Sequence, residues 1–129
     1  MINRHILIVE DNDLQHTLYN ALSKKFNLSL TMVKSGSDGV AAVEAADKYH
    51  LILMDLRLTD MNGCECAKQI RVIEKKRGSH TPIIAVTGHT SAKYQNDCKE
   101  AGMDGYLSKP FTIEQFSDTI ENWSRKDLV

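Results

Sequence analysis

Four short runs punctuate the chain, three of them wholly apolar: Ile6-Leu7-Ile8-Val9, Leu51-Ile52-Leu53-Met54, Ile83-Ile84-Ala85-Val86 and the weaker Gly105-Tyr106-Leu107-Ser108. Continuous apolar runs of this length predict strands buried on both faces, here over 5–9, 51–54, 82–86 and 105–108. Residues 28–33 alternate instead, as a strand at a sheet edge does. Between the strands the period changes to that of a helix. Leu14, Leu18, Leu22 and Phe26 recur every four residues and predict a helix over 13–26. A second helix is expected over 37–48, with Val40, Val43 and Ala46 inward, and a third over 63–77, with Ala67, Ile70 and Ile73 inward and Gly78 as its C-cap. A fourth, over 91–101, is stopped by Gly102. Thr112-Ile113-Glu114-Gln115 has the form of a capping box opening a fifth helix, with Phe116, Ile120 and Trp123 on its apolar face. Strands alternating with helices give an α/β fold with a parallel sheet, right-handed crossovers and helices on both faces. Periodicity leaves the strand order open.

The residues that end these runs carry the chemistry. Glu10-Asp11 follows the first run, Asp55 the run at 51–54, Thr87 the run at 83–86, and Lys109-Pro110 the last. In a parallel sheet all of them emerge at one edge, where open α/β sheets bind ligands. Three carboxylates crowded together repel: two like charges about 4 Å apart cost about 4 kcal/mol at an effective dielectric near 20. A bound cation relieves that cost. Carboxylates without His or Cys ligands suit Mg²⁺ rather than zinc. Asp55, at the centre, is the candidate nucleophile toward phosphorus. Mg²⁺, the Lys109 ammonium and the Thr87 hydroxyl with a nearby backbone N–H are the candidates to neutralise the three equatorial oxygens in transfer.

Composition narrows this further. A length of 129 residues is one domain, 1–129, and the formal net charge of −1 argues against a surface built to bind nucleic acid. No apolar stretch approaches the roughly 20 residues that span a bilayer, so no membrane contact is expected of this domain. Met1-Ile2-Asn3-Arg4 is too polar and short to open a secretory signal, and a cytoplasmic setting is expected. Cys64, Cys66 and Cys98 are odd in number and lack a C-x-x-C spacing, which suggests reduced thiols. On a helix, Cys64 and Cys66 point about 200° apart and make a poor metal pair.

The chain resembles the response-regulator receiver domains of two-component signalling over essentially its whole length. The resemblance rests on Ile-Leu-Ile-Val-Glu-Asp-Asn at 6–12, Leu-Ile-Leu-Met-Asp-Leu-Arg-Leu-Thr-Asp-Met-Asn-Gly at 51–63 and Ala-Gly-Met-Asp-Gly-Tyr-Leu-Ser-Lys-Pro-Phe at 101–111. It implies a flavodoxin-like, doubly wound five-stranded sheet of order 2-1-3-4-5 with five helices. It implies that Asp55 is the phosphoacceptor, that Asp11 binds Mg²⁺ directly with Glu10 acting through water, and that the Arg57 carbonyl completes the protein ligands. It also implies Thr87 and Tyr106 as a switch pair, a cis Lys109–Pro110 bond, and Arg57 and His89 as residues that tune acyl-phosphate hydrolysis; for these two an ordinary surface role stands equally open. Thr59, Asn62 and Gly88 depart from the commoner proline, aspartate and alanine. The first two put the rigidity of the acid-site loop in question, and at Gly88 a small residue is expected to leave room for phosphate.

The function so implied is phosphoacceptance in a phosphorelay, with chemistry of transfer and autodephosphorylation rather than turnover. The expected partner is a histidine kinase or a histidine-containing phosphotransfer domain, docking on Leu14, Gln15, Leu18, Pro110 and Phe111. For Leu18 a core role is the favoured reading, and Gln15 is expected to be open to solvent. Competing readings are weaker. A flavin or nucleotide binder needs a Gly/Ser/Thr-rich loop where Glu10-Asp11-Asn12 stands. A haloacid-dehalogenase-type phosphatase needs a second acid where Arg57 stands. A receiver serving only as an interaction module would not need the full acid set. Ala101-Gly102-Met103-Asp104 and Leu58-Thr59-Asp60-Met61 resemble hybrid-kinase receivers most. A standalone regulator, a piece of a regulator and a hybrid-kinase receiver, whose parent would be a protein-histidine kinase, all remain open.

Overall fold

The computed structural model describes residues 4–88 and 91–128. Five strands and five helices alternate: β1 His5–Val9, α1 Asp13–Phe26, β2 Ser29–Val33, α2 Gly36–Ala45, β3 Leu51–Asp55, α3 Gly63–Arg77, β4 Ile83–Thr87, α4 Ala92–Glu100, β5 Gly105–Ser108 and α5 Ile113–Trp123. The sheet is parallel throughout, in the order β2-β1-β3-β4-β5.

Alternate residues of the central strands feed two cores, which is why their sequences read as continuous apolar runs. Leu7, Val9, Ile52, Met54, Ile83 and Ala85 face α2, α3 and α4, against Val43, Cys66, Ala67, Ile70 and Cys98. Ile6, Ile8, Leu51, Leu53, Ile84 and Val86 face α1 and α5, against Tyr19, Leu22, Phe116 and Ile120. β2 is half-buried along its length, as expected of an edge.

Register sets the height of each strand end. Val9 pairs with Met54, so Glu10 lies level with Asp55. Asp55 pairs with Val86, placing Thr87 one residue further out, and Thr87 pairs with Ser108, placing Lys109 beyond it. The expected caps form. Gly78 ends α3 at φ 69°, and Thr112 and Gln115 exchange both capping-box bonds.

Three sequence expectations need correction. The four-residue stripe on α1 does not face the core throughout. A spacing of four drifts about 40° per step around a helix, so Leu22 is buried while Leu14 and Leu18 are 79% and 42% exposed; Tyr19 fills the core in their place. α2 ends at Ala45 rather than 48, because the chain turns to bury Tyr49 and His50. Trp123 is 40% exposed, with its indole lying over Gly105. The three cysteines are free; burial pushes the Cys66 thiol up to about 12 and the Cys98 thiol up to about 11.

Candidate functional site

Glu10, Asp11 and Asp55 each bring a carboxylate oxygen to within 4.8 Å of the others, at the carboxyl edge of the sheet. Glu10 and Asp55 are buried, and Asp11 is half-buried. Glu10 is fixed from several directions. Its N–H donates to the Val33 carbonyl at 3.0 Å, its Oε2 accepts the Asn12 N–H at 3.2 Å, and its Oε1 meets the Lys109 ammonium at 3.2 Å. Asp55 Oδ1 accepts the Arg57 N–H at 3.1 Å. Burial, followed by the Asp55 charge, pushes the Glu10 carboxyl above its ordinary range, and the Lys109 ammonium only partly offsets them. That is the electrostatic state of a cluster built around positive charge. The donor set, carboxylates alone, fits a hard cation and not zinc.

A cleft of about 360 Å³ opens over the cluster, with Gln15, Arg57, Thr87, Gly88 and Lys109 on its walls. Thr87 is buried at the end of β4, and the Lys109–Pro110 bond is cis. A methyl group at Gly88 would meet no atom of the described residues within 4 Å, so their packing does not demand glycine there.

The loop from β3 to α3 is tied at both ends despite Thr59 and Asn62. Arg57 and Asn62 form a two-residue bridge, and Asn62 Oδ1 caps α3 through the Glu65 N–H at 2.8 Å. The Asp60 carboxylate accepts the Gly36 and Ser37 N–H groups at 2.9 and 3.0 Å and the Ser37 hydroxyl at 2.8 Å. Those bonds hold its pKa down at about 2 and latch the loop to the start of α2. Gly63 has no room for a side chain: a Cβ would lie 2.5 Å from the Asp55 carbonyl oxygen. The third helix therefore starts directly against the backbone of the central acid.

Tyr106 pairs with Ala85, two residues before Thr87 on the same face of β4. Its hydroxyl is buried and has no hydrogen-bond partner among the described residues. It is therefore not the solvated hydroxyl of an ordinary strand aromatic.

Of the expected docking residues, Leu14, Leu18 and Pro110 are exposed, which overturns the core reading of Leu18. Gln15 is half-buried on the cleft wall rather than open. Phe111 is half-buried and stacks on Tyr19 and Phe116, so much of its surface serves packing. Arg57 is exposed beside the cleft, and His89 lies outside the described residues. The sequence reading missed Asn12, His16 and Asp60. Asn12 was legible as a residue of N-cap type before a helix. Asp60 acts across 24 residues and had no local signal.

A doubly wound sheet with a carboxylate cluster, a hydroxyl and a lysine at its carboxyl edge is the architecture of a phosphoacceptor domain. The chain belongs to the response regulator receiver domain family, whose sequence model matches residues 6–121. It is 31% identical to the polar-differentiation response regulator DivK of Brucella ovis, over 95% of this chain and 97% of that one. It spans only 14% of the length of probable histidine kinases 4 and 6 of Oryza sativa, which it also matches. Among solved structures it is similar to the receiver domain of a sensor histidine kinase from Pseudomonas aeruginosa, which has a magnesium ion coordinated in its active-site cleft (33% identity, TM-score 0.84, 95% of this chain and 98% of that one). It is also similar to a Saccharomyces cerevisiae receiver, that of Ssk1, crystallised with the histidine phosphotransfer protein Ypd1 (31% identity, TM-score 0.85, 94% and 88%).

Proposed function

We propose that Asp55 is the phosphoacceptor of this receiver, taking its phosphoryl group from a phosphohistidine. The observation that carries the reading is the convergence of Glu10, Asp11, Asp55 and Lys109 at one sheet edge. Glu10, Asp11, Asp55 and the Arg57 carbonyl would hold Mg²⁺, which supplies positive charge to the pocket and to the incoming phosphoryl oxygens. An Asp55 carboxylate oxygen attacks phosphorus, the phosphorus–nitrogen bond to the donor breaks, and its electron pair returns to the imidazole. The Lys109 ammonium neutralises one phosphoryl oxygen. Thr87 and a neighbouring backbone N–H donate to another, drawing Thr87 toward the new anion. Tyr106 then has space to enter on its own face of the sheet, and its unpaired hydroxyl gains a partner by leaving its present position.

The test is labelling with acetyl phosphate and Mg²⁺. One phosphoryl group is expected in the intact mass, removable by hydroxylamine as an acyl phosphate, and absent from Asp55→Asn. A variant lacking Asp55 that is labelled to the parent's extent would overturn the assignment. The partner proposed is a phosphotransfer domain presenting a histidine on a helical bundle, seated over Leu14, Leu18 and Pro110. Support comes from the exposure of those apolar groups beside the cleft and from the receiver that was crystallised with such a protein.

A further inference from the structure

The direction of the Asp11 side chain depends on the peptide unit that joins it to Glu10. The nitrogen end of Glu10 is anchored by Val33 and its carboxylate by Asn12 and Lys109. Its carbonyl oxygen is held from α1, by a residue whose own N–H donates to the Asn12 carbonyl at 3.1 Å. The His16 ring, one turn into α1, bonds the Glu10 carbonyl through Nε2. A carbonyl can only accept, so Nε2 carries the hydrogen. The same turn is pinned by Asn12, whose Oδ1 accepts the Leu14 and Gln15 N–H groups at 2.9 and 3.2 Å. Rotation of the Glu10–Asp11 peptide plane would swing the Asp11 carboxylate away from Asp55, and the His16 bond opposes that rotation. Mg²⁺ demands near-ideal octahedral geometry, so small errors in the direction of a ligand are expensive.

We infer that His16 is a positioning residue for the cation site, acting through the Glu10 carbonyl and never touching the ion. This rests on the reading of the acid cluster as a Mg²⁺ site. Groups that orient metal ligands typically change affinity 10- to 100-fold when removed. The glutamine amide nitrogen falls close to the position of histidine Nε2, so His16→Gln keeps the donor while His16→Leu removes it at similar bulk.

The experiment is calorimetric titration of Mg²⁺ into the parent, His16→Leu and His16→Gln at one fixed pH, with metal-free melting curves alongside. His16→Leu is expected to bind Mg²⁺ about 10-fold more weakly. His16→Gln is expected to stay near the parent, and without metal to melt with it, while His16→Leu melts a few degrees lower for the lost hydrogen bond but stays fully folded at the titration temperature. A parent that binds Mg²⁺ and a His16→Leu that binds it equally well would overturn this inference alone. Equal weakening of both variants would also overturn it, because the loss would then not follow the donor. A parent that does not bind Mg²⁺ at all would remove the metal reading and this inference together.

Discussion

At the scale of single residues, Glu10 concentrates the tension in the site. It is 2% exposed beside another buried carboxylate, and one ammonium at 3.2 Å does not cancel both charges. Removing its charge should therefore stabilise the metal-free protein. Glu10→Gln is expected to raise the melting temperature without Mg²⁺ by roughly 4 °C, corresponding to about 1 kcal/mol of relieved repulsion. With saturating Mg²⁺ the order should reverse, since the parent alone keeps its full ligand set. Thermal melts of both proteins with and without the ion decide this, and a Glu10→Gln that is less stable in both conditions would refute it. Asp11 lies one residue further out of the strand and is less buried, so Asp11→Ala should lose Mg²⁺ binding more completely than Glu10→Gln. Titration calorimetry would show the opposite order if Glu10 were the dominant ligand.

At the scale of elements, α1 shows what a pattern can and cannot say. The runs at 6–9, 51–54 and 83–86 were legible because both faces of a central strand are buried, so every position carries the signal. The edge of the site was legible for a related reason: parallel strands bring their ends to one edge whatever the order, so Glu10, Asp55, Thr87 and Lys109 had to share it, and the adjacency of β1, β3, β4 and β5 then brings them together. Helix faces are less constrained. Leu14 and Leu18 continue the spacing of Leu22 yet wind out to solvent, while Tyr19, which lies off the stripe, is 1% exposed. Nor could spacing find the Asp60 latch or the His16 bond, since both are side-chain contacts to backbone fixed by loop geometry. The two leucine classes make separable predictions. Leu22→Ala should cost about 2–5 kcal/mol as a core truncation, and Leu18→Ala no more than about 1 kcal/mol. Leu14→Glu with Leu18→Glu should slow phosphoryl transfer from a phosphotransfer protein while leaving acetyl-phosphate labelling at the parent rate. Denaturant melts and the two labelling assays check each arm. Equal slowing of both reactions would mean that the acid cleft itself was disturbed.

At the scale of the whole molecule, the two ends of the sheet have different roles. The carboxyl end gathers unbalanced carboxylates around a cleft. The amino end is closed by paired polar groups around Arg71 and Arg125, while the buried His50 Nε2 has no partner among the described residues. The Arg71 guanidinium, paired with Glu74 on its own helix, ties α3 to the Thr81 and Gly102 carbonyls and Asp104, and Arg125, paired with Asp127 beside it, ties the segment after α5 to Asp47. His5 and His50 sit at this end, at the starts of β1 and β3. The His50 Nδ1 accepts the His5 N–H at 3.0 Å, and the His5 Nε2 lies 2.7 Å from the Thr31 hydroxyl. Burial, above all, holds both imidazoles below the usual value of 6.5. Lys48 and the other imidazole add to it around His5, and Arg4 and Arg125 add to it around His50. The unfolded chain therefore takes up protons at these sites as pH falls below about 6.5, before the folded chain does. Stability rises with pH through that window and is lost on acidification. Protonating His50 at Nδ1 would also remove the acceptor of the His5 N–H. Urea unfolding at about pH 7.5 and about pH 5 should show a loss on the order of 1 kcal/mol in the parent. His50→Asn keeps an acceptor near the Nδ1 position without the titration, and should lose distinctly less between the same two conditions. Mg²⁺ should leave this difference between the two proteins unchanged, because the histidines lie at the end of the sheet remote from the acid cluster. An equal loss in both proteins would show that His50 does not govern the acid limb.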